Sequence, residues 1–296
     1  MELLVTGAGG LTGHLFLEHL AKVDRKFELT LLIRRDLNFD LTPTKNLKLI
    51  CTQGDSSVLE TWEKILLVKN LQAIIHIASI HHTPVLLRSL VESSHKPRLV
   101  VIGTTGVYSQ YNQYSATYKS IEQQLQAYTG SYCLLRPTMI YGSHRDKNLH
   151  KLIRFGDRHQ FFPVFGSGQS LLQPVHADDL AQALLAVLLN PQIEGAYDLS
   201  GGTVVTFLEL LALVEKLLGK PVRPLRIPYN LGLWSATLAE TFLGKRSPIR
   251  REQILRLQED KAYSYEAAQR DFGYNPRSLE VGLTQEIEIL RAEGII

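Results

Sequence analysis

Residues 5–13 read Val5-Thr6-Gly7-Ala8-Gly9-Gly10-Leu11-Thr12-Gly13, and this stretch decides the fold. Gly7, Gly10 and Gly13 have the spacing G-x-x-G-x-x-G. Before them, Leu3-Leu4-Val5 is an apolar run suited to a buried parallel strand. After them, Leu11 to Leu20 carries apolar residues near helical period. Strand, glycine turn and helix are the context that gives the motif meaning. Gly7 permits a tight turn, Gly10 lets backbone approach a pyrophosphate, and Gly13 lets the helix lie close on the strand. Leu11 opens the helix, whose unpaired N–H groups and dipole attract the anion. The plain alternative is a structural glycine turn without a ligand.

The 296 residues suffice for one large core or two domains. Hydrophobic residues make up 45% and charged residues 21%, an ordinary globular composition. A net charge of +3, scattered along the chain, argues against nucleic acid as a partner. No apolar run reaches transmembrane length. A strand at the N-terminus leaves no room for a signal peptide, so the expected compartment is the cytoplasm. Cys51 and Cys133 fall in expected strands and read as free, buried thiols of a reducing compartment.

Outward from the glycine turn, short apolar runs alternate with helical patterns. The expected strands are Leu3–Thr6, Glu28–Arg34, Leu47–Cys51, Ala73–Ile77, Leu99–Ile102 and Tyr132–Leu135. The clearest helices between them are Leu11–Ala21, Pro84–Glu92 and Ser115–Tyr128. This βαβ alternation predicts an α/β, Rossmann-type, doubly wound parallel sheet over residues 1–142. Its ligand edge lies at the carboxyl ends of the strands. Residues 143–296 read as a smaller, interrupted α+β substrate lobe with segments returning to the first. There Leu149–Phe155, Ala177–Leu189, Phe207–Leu218 and Leu279–Ala292 read as helices, Phe161–Gln169 as a loop and Leu171–Val175 as a strand. Leu231–Leu243, with Trp234, Leu238 and Phe242 before Lys245-Arg246, reads as a core or interface helix rather than a membrane-surface one, because Glu240 interrupts it.

Six landmarks in order resemble the extended short-chain dehydrogenase/reductase superfamily, which includes nucleotide-sugar epimerases and dehydratases. Besides the glycine loop these are Ile74-Ile75-His76-Ile77-Ala78-Ser79, Gly103-Thr104-Thr105-Gly106-Val107-Tyr108, Leu135-Arg136-Pro137-Thr138-Met139-Ile140-Tyr141-Gly142, Gln173-Pro174-Val175-His176-Ala177-Asp178-Asp179, and Asp271-Phe272-Gly273-Tyr274-Asn275-Pro276. The resemblance implies a nicotinamide cofactor lying along Ala78 and Pro137. It also implies a polar carbonyl or alcohol substrate such as a nucleotide-sugar, and either a monomer or a homodimer.

The end of strand two reads Arg34-Arg35-Asp36. Arginine suits a 2′-phosphate where a carboxylate would suit free ribose hydroxyls. Arg34, with Arg35, therefore favours NADP over NAD, Asp36 being the complication. Gly54-Asp55-Ser56 resembles the superfamily's adenine-side contact, which would make Asp55 an adenine acceptor; alternatively Asp55 starts the following helix as its N-cap.

The resemblance also implies catalysis by a Tyr-x-x-x-Lys pair and a strand-five hydroxyl. Thr104 fits the hydroxyl and Lys119 the lysine, with Glu122 three residues on. Four residues before Lys119 stands Ser115, not tyrosine. Tyr114 is the proton donor if Ser115 caps the helix; Tyr111 is more remote, and Ser115 with Thr104 around a water is a second route. The other reading is a catalytically degenerate nucleotide-binding scaffold or redox sensor. His76, His81 and His82 lack a carboxylate cluster and do not read as a metal site. Asp178 is expected to cap Ala177–Leu189, and His176 to start that helix structurally. Arg145, Lys147, Asn148, Lys151 and Arg154 form a polar entrance, with Asn148 the substrate contact and Arg250-Arg251 available for a diphosphate.

Overall fold

The computed structural model describes residues 1–35, 45–93, 96–146, 148–244 and 250–296. Asp36, Lys147, Lys245 and Arg246 lie outside the described residues. The chain runs β1 (Glu2–Thr6), α1 (Leu11–Ala21), β2 (Phe27–Ile33), β3 (Leu47–Gln53), α2 (Leu59–Val68), β4 (Ala73–His76), α3 (Thr83–Ser93), β5 (Arg98–Ile102), α4 (Ser115–Gln126), β6 (Tyr132–Pro137) and β7 (Ile140–Tyr141). It continues through α5 (Leu149–His159), β8 (Phe161–Phe165), β9 (Leu171–Leu172), β10 (Val175–His176), α6 (Ala177–Leu189), β11 (Gly195–Leu199), β12 (Val205–Thr206), α7 (Phe207–Leu218) and β13 (Arg223–Ile227). Four helices close it: α8 (Tyr229–Leu243), α9 (Arg251–Arg256), α10 (Glu266–Phe272) and α11 (Leu279–Ala292).

Seven strands form one sheet in the order β11-β6-β5-β4-β1-β2-β3. Every pairing in it is parallel. This is a Rossmann-type sheet whose strand order reverses beside β1, the place where such sheets bind ligands. Leu3, Val5, Leu29 and Val100 point to one face and join Phe16, Leu20, Leu184 and Val187 of α1 and α6. Leu4, Ile74, Leu99 and Val101 point to the other and join Trp62, Leu86 and Leu125 of α2, α3 and α4. Both faces are thus covered, which is why the strands read as continuous apolar runs. A third core joins Leu152 and Ile153 of α5 to Leu210 and Val214 of α7 and Leu283 and Ile287 of α11.

Several local expectations change. Phe161–Phe165 is a strand, not loop, pairing in parallel with β13; Pro163 is tolerated because this sheet has only two strands and all of it is edge. The run 171–175 splits into β9 and β10 around Gln173-Pro174. Cys51 is exposed and Cys133 buried, so only the second is a core thiol; burial pushes its pKa up to about 12. The core reading of 231–243 is overturned: Leu231, Trp234, Leu238 and Phe242 are exposed. Among the described residues no helix is long and apolar enough to cross a membrane.

Candidate active site

The glycine turn is built by close approach. Gly7 adopts φ +74°, where a Cβ would stand 2.7 Å from Ala78 N. At Gly13 a Cβ would lie 2.8 Å from Ala8 Cα and closer still to the Gly7 carbonyl oxygen. Gly10 donates its N–H to Gly7 O at 3.0 Å and is the N-cap of α1, with no side chain over the helix start. The first N–H groups of α1 are therefore free to meet a ligand. Thr6 fixes the neighbouring strand end: its Oγ1 meets His76 Nδ1 at 2.9 Å and accepts from Ala78 N at 3.2 Å.

A cleft of about 2050 Å³ runs from this turn across the strand ends. That exceeds the roughly 300–1,000 Å³ of a site for one small ligand, so two can lie end to end. Gly7, Gly10, Leu11, Gly13, Arg34, Arg35 and Ala78 line one end. Thr104 and Pro137 line the middle, and Asn148 and Lys151 the second lobe's side. Arg256 and Lys261 line the cleft too, although no local pattern announces them. Lys261 arrives by a bridge to Leu172, and burial with Arg256 nearby lowers its pKa to about 8. Phe155, Phe162 and Phe165 add an aromatic wall.

Thr104 is the N-cap of the short turn 105–108, and its Oγ1 accepts from Gly106 N at 3.0 Å. Its hydroxyl hydrogen stays available to a substrate oxygen. Ser115 is not the cap of α4; Tyr114 is, and the Ser115 hydroxyl donates to Val107 O at 2.9 Å. That bond takes the hydrogen the water route required. Tyr114 and Tyr118 stand one turn apart, and the His81 ring lies 5.3 Å from each of theirs. A Cβ on Gly106 would touch both Thr104 Oγ1, at 3.2 Å, and the Tyr118 ring, at 3.3 Å. Tyr118 therefore borders the Thr104 position, with Asn112 hydrogen-bonded to its phenol and burial raising its pKa.

Lys119 is exposed and, like Tyr111, Tyr114 and Tyr118, is not among the residues lining the cleft. The rotation of α4 is pinned by Glu122, which takes a two-pronged bond from Arg136 at 2.8 and 2.8 Å. Arg136 also reaches Tyr108 Oη at 3.2 Å and Asp198 at 3.4 Å, tying β6, α4 and β11 together. Tyr111 is exposed beside Tyr114, its N–H held by Glu259 at 3.2 Å.

Asp55 does not cap α2, whose N-cap is Val58. It accepts from Ser57 N and Oγ, both at 2.8 Å, and these bonds lower its pKa. Asp178 does not cap α6 either. His176 does, accepting Asp178 N at 3.2 Å, while Asp178 takes Arg277 and His19. His76 is fully buried and lowered to about 4 by that burial. His82 instead bonds Ser56 at 2.7 Å in the cleft wall. Among the described residues no three His, Cys, Asp or Glu side chains gather as for a metal. Arg145 donates to Gly9 O, so the 143–148 loop reaches the glycine turn. Asp146 of that loop holds Asn148 N at 2.6 Å and His150 at 3.1 Å.

Residues 85–199 match the NAD dependent epimerase/dehydratase family. The mouse (Mus musculus) short-chain dehydrogenase/reductase family 42E member 1 is 27% identical over 176 residues, 55% of this chain and 44% of that protein. The trifunctional UDP-glucose 4,6-dehydratase/UDP-4-keto-6-deoxy-D-glucose 3,5-epimerase/UDP-4-keto-L-rhamnose-reductase RHM1 of Arabidopsis thaliana is 23% identical over 245 residues, 67% of this chain and 36% of that protein. The chain thus spans less than half the length of these curated relatives. The fold is that of UDP-glucose 4-epimerase from Thermotoga maritima, solved with UDP-glucose, at TM-score 0.73, 18% identity and 99% coverage of both chains. UDP-glucuronic acid 4-epimerase from Bacillus cereus, solved with UDP-glucuronic acid and NAD, superimposes at TM-score 0.73 and 19% identity, over 99% of this chain and 100% of that one. Over residues 85–199 the chain is thus similar to the NAD dependent epimerase/dehydratase family, and its seven-stranded sheet is the fold of these sugar-nucleotide epimerases.

Proposed function

We propose that the chain is a nicotinamide-dependent oxidoreductase of the epimerase/dehydratase type. Its substrate is a carbonyl or alcohol centre of a nucleotide-sugar or a similar polar metabolite. The observation that carries this reading is one continuous cleft. Its lining includes the anion-seating glycine turn, the Thr104 hydroxyl and the cations Arg256 and Lys261. The fit to a dinucleotide rests on the cradle itself, which a Cβ at Gly7 or Gly13 would fill. Arg34 and Arg35 at the end of β2 favour NADP over NAD through a 2′-phosphate. When bound, the nicotinamide supplies or accepts a hydride.

Thr104 donates to the substrate oxygen and orients it. Tyr114, itself the N-cap of α4 and half-exposed, turns into the cleft to donate the proton in reduction and accept it in oxidation, the role the phenol of the Tyr-x-x-x-Lys pair fills in this superfamily. Tyr118 then stands four residues on, in the lysine's place. A second reading gives the proton to Tyr118, favoured by its ring beside Thr104 across Gly106. Asn148, Arg145 and Lys151 face the substrate, with Arg256 and Lys261 meeting its phosphates. The names of the relatives, a UDP-glucose dehydratase and two UDP-sugar 4-epimerases, support a nucleotide-sugar.

The test is fluorescence titration with NADPH and NADH, then reduced-cofactor turnover with a panel of UDP- and dTDP-keto-sugars. Tight NADPH binding and turnover abolished by Thr104→Val support the reading. NADPH binding without turnover on any member supports the degenerate scaffold, which the absence of an α4 lysine from the cleft favours. Failure to bind either nucleotide overturns both.

A further inference from the structure

One side of α8 is apolar and uncovered. Leu231, Trp234, Leu238 and Phe242 recur at three- and four-residue spacing and fall within about 80° around the helix. They are 60%, 70%, 49% and 80% exposed. Together they form a stripe about 16 Å long. The opposite side is seated, with Gly232 and Ala236 buried. A Cβ on Gly232 would meet the Phe165 ring at 2.5 Å. Glu240 is the one carboxylate within 229–243, and it falls on that seated side, about 180° from Leu231. Polar residues flanking the stripe turn inward: Ser235 donates to Gly232 O, Thr237 to Leu233 O and Thr241 to Thr237 O. Their hydroxyls are satisfied by the helix itself.

Cations stand at both ends. β13 leads through Pro228 into α8 and carries exposed Arg223, Leu225 and Arg226. After α8 the sequence holds Lys245, Arg246, Arg250 and Arg251 ahead of Glu252, whose carboxylate is paired with Arg256. Of these Arg250 and Arg251 are described, and both are exposed. A second copy docked on this stripe by a two-fold axis would bring the same cations face to face. An anionic lipid surface accepts both features: the apolar side chains enter the acyl boundary and the arginines meet headgroups.

We propose that α8 seats the protein on an anionic membrane surface, lying in the plane of the interface with Leu231, Trp234, Leu238 and Phe242 toward the lipid. Because α8 packs on Phe165, which lines the cleft, this seat puts the cleft's aromatic wall one helix from the bilayer.

The test is co-sedimentation of the full chain with vesicles of phosphatidylcholine alone or with added phosphatidylserine. Binding is expected to the anionic vesicles and to fall as salt rises, with Trp234 emission shifting to the blue. Trp62, fully buried, gives a constant background. The pair Trp234→Ser/Phe242→Ser should lose vesicle affinity by about ten-fold or more. Its melting temperature and circular dichroism should match the parent's. Absence of anionic-vesicle binding, or equal binding by the double variant, overturns the proposal. So does a parent dimer, seen by light scattering, that the double variant converts to monomer.

Discussion

Gly10 and Gly13 separate a ligand-binding role from a packing role, because alanine would meet different surroundings at each. At Gly13 the added Cβ lies 2.8 Å from Ala8 Cα and 2.9 Å from Gly7 C, all backbone with no side chain to yield. Helix α1 must then lift from the turn, and overpacking of this kind costs about 1–3 kcal/mol. For a chain of this size that is a fall in Tm of roughly 2–5 °C. At Gly10 the nearest atom, Gly7 O, is 3.3 Å away, and φ is −79°, which any residue adopts. Gly10→Ala should therefore keep its Tm within about 1 °C. Its methyl would still stand where the pyrophosphate approaches the helix start, weakening NADPH binding by about ten-fold or more. Calorimetry gives the first quantity and cofactor fluorescence the second. A Gly10→Ala protein with undiminished NADPH affinity would refute the seating of pyrophosphate at α1. A Gly13→Ala protein with an unchanged Tm would refute the packing argument.

Arg34→Asp should weaken NADPH by about ten-fold or more while sparing NADH, since one charge-assisted contact to phosphate is worth roughly 1.5–3 kcal/mol; equal losses for both nucleotides would count against a 2′-phosphate role. Tyr114→Phe should cut turnover by about a hundred-fold, the scale of lost general-acid help, with KM little changed. Lys119→Ala, on the exposed side of α4, should leave cofactor affinity alone, and a large loss there would restore Lys119 to the site. Glu122→Gln should destabilise by about 3 kcal/mol, because it leaves the buried Arg136 guanidinium short of a partner. A double-mutant cycle with Arg136→Met in denaturant titrations checks the coupling. Glu286 is fully buried, and burial together with the Asp146 carboxyl raises its pKa to about 10. Below the unfolded value of 4.5 both states are protonated; above it only the unfolded chain releases the proton, so stability falls by about 1.4 kcal/mol per pH unit. Glu286→Gln should therefore gain about 3 kcal/mol at pH 7 and little at pH 4, and parallel stability–pH curves for the two proteins would refute it.

The first lobe was legible because its signals are local. A parallel strand covered on both faces is an apolar run, and a glycine turn that must meet backbone tolerates no Cβ. Residues 195–199 carry no such signal. Tyr197 and Asp198 interrupt the run, and β11 is recruited to the sheet edge by pairing with β6. The cleft's far end was equally silent. Arg256 and Lys261 become site residues only when β9 bridges to Lys261 across almost ninety residues of sequence. Asp178 looked like a cap because carboxylates at a helix start usually are. Arg277, from a distant turn, claims it instead, and His176 takes the cap.

The Tyr-x-x-x-Lys reading of α4 meets a different obstacle, and the helix itself supplies it. Motif spacing paired Lys119 with an empty tyrosine slot at Ser115. The buried side of α4 is set by Ser115, Ile121, Glu122 and Leu125. At about 100° per residue, Tyr118 falls some 40° from Glu122 toward Ile121 and Leu125, within that face. Lys119 falls about 60° the other way, toward solvent. The Arg136–Glu122 bridge opposes the rotation that would bring Lys119 inward, since turning the helix would strip the part-buried guanidinium of its two shortest bonds and leave it Tyr108 and Asp198. Near the Thr104 end α4 therefore sets the Tyr118 ring, with the His81 ring 5.3 Å from it and from the half-exposed Tyr114, and no lysine of the helix. A reaction run there must draw its positive charge from Arg256 or Lys261 across the cleft rather than from the helix that carries the phenols. Lys261→Met should then raise the pH at which turnover reaches half its maximum, whereas Lys119→Met should leave the profile in place.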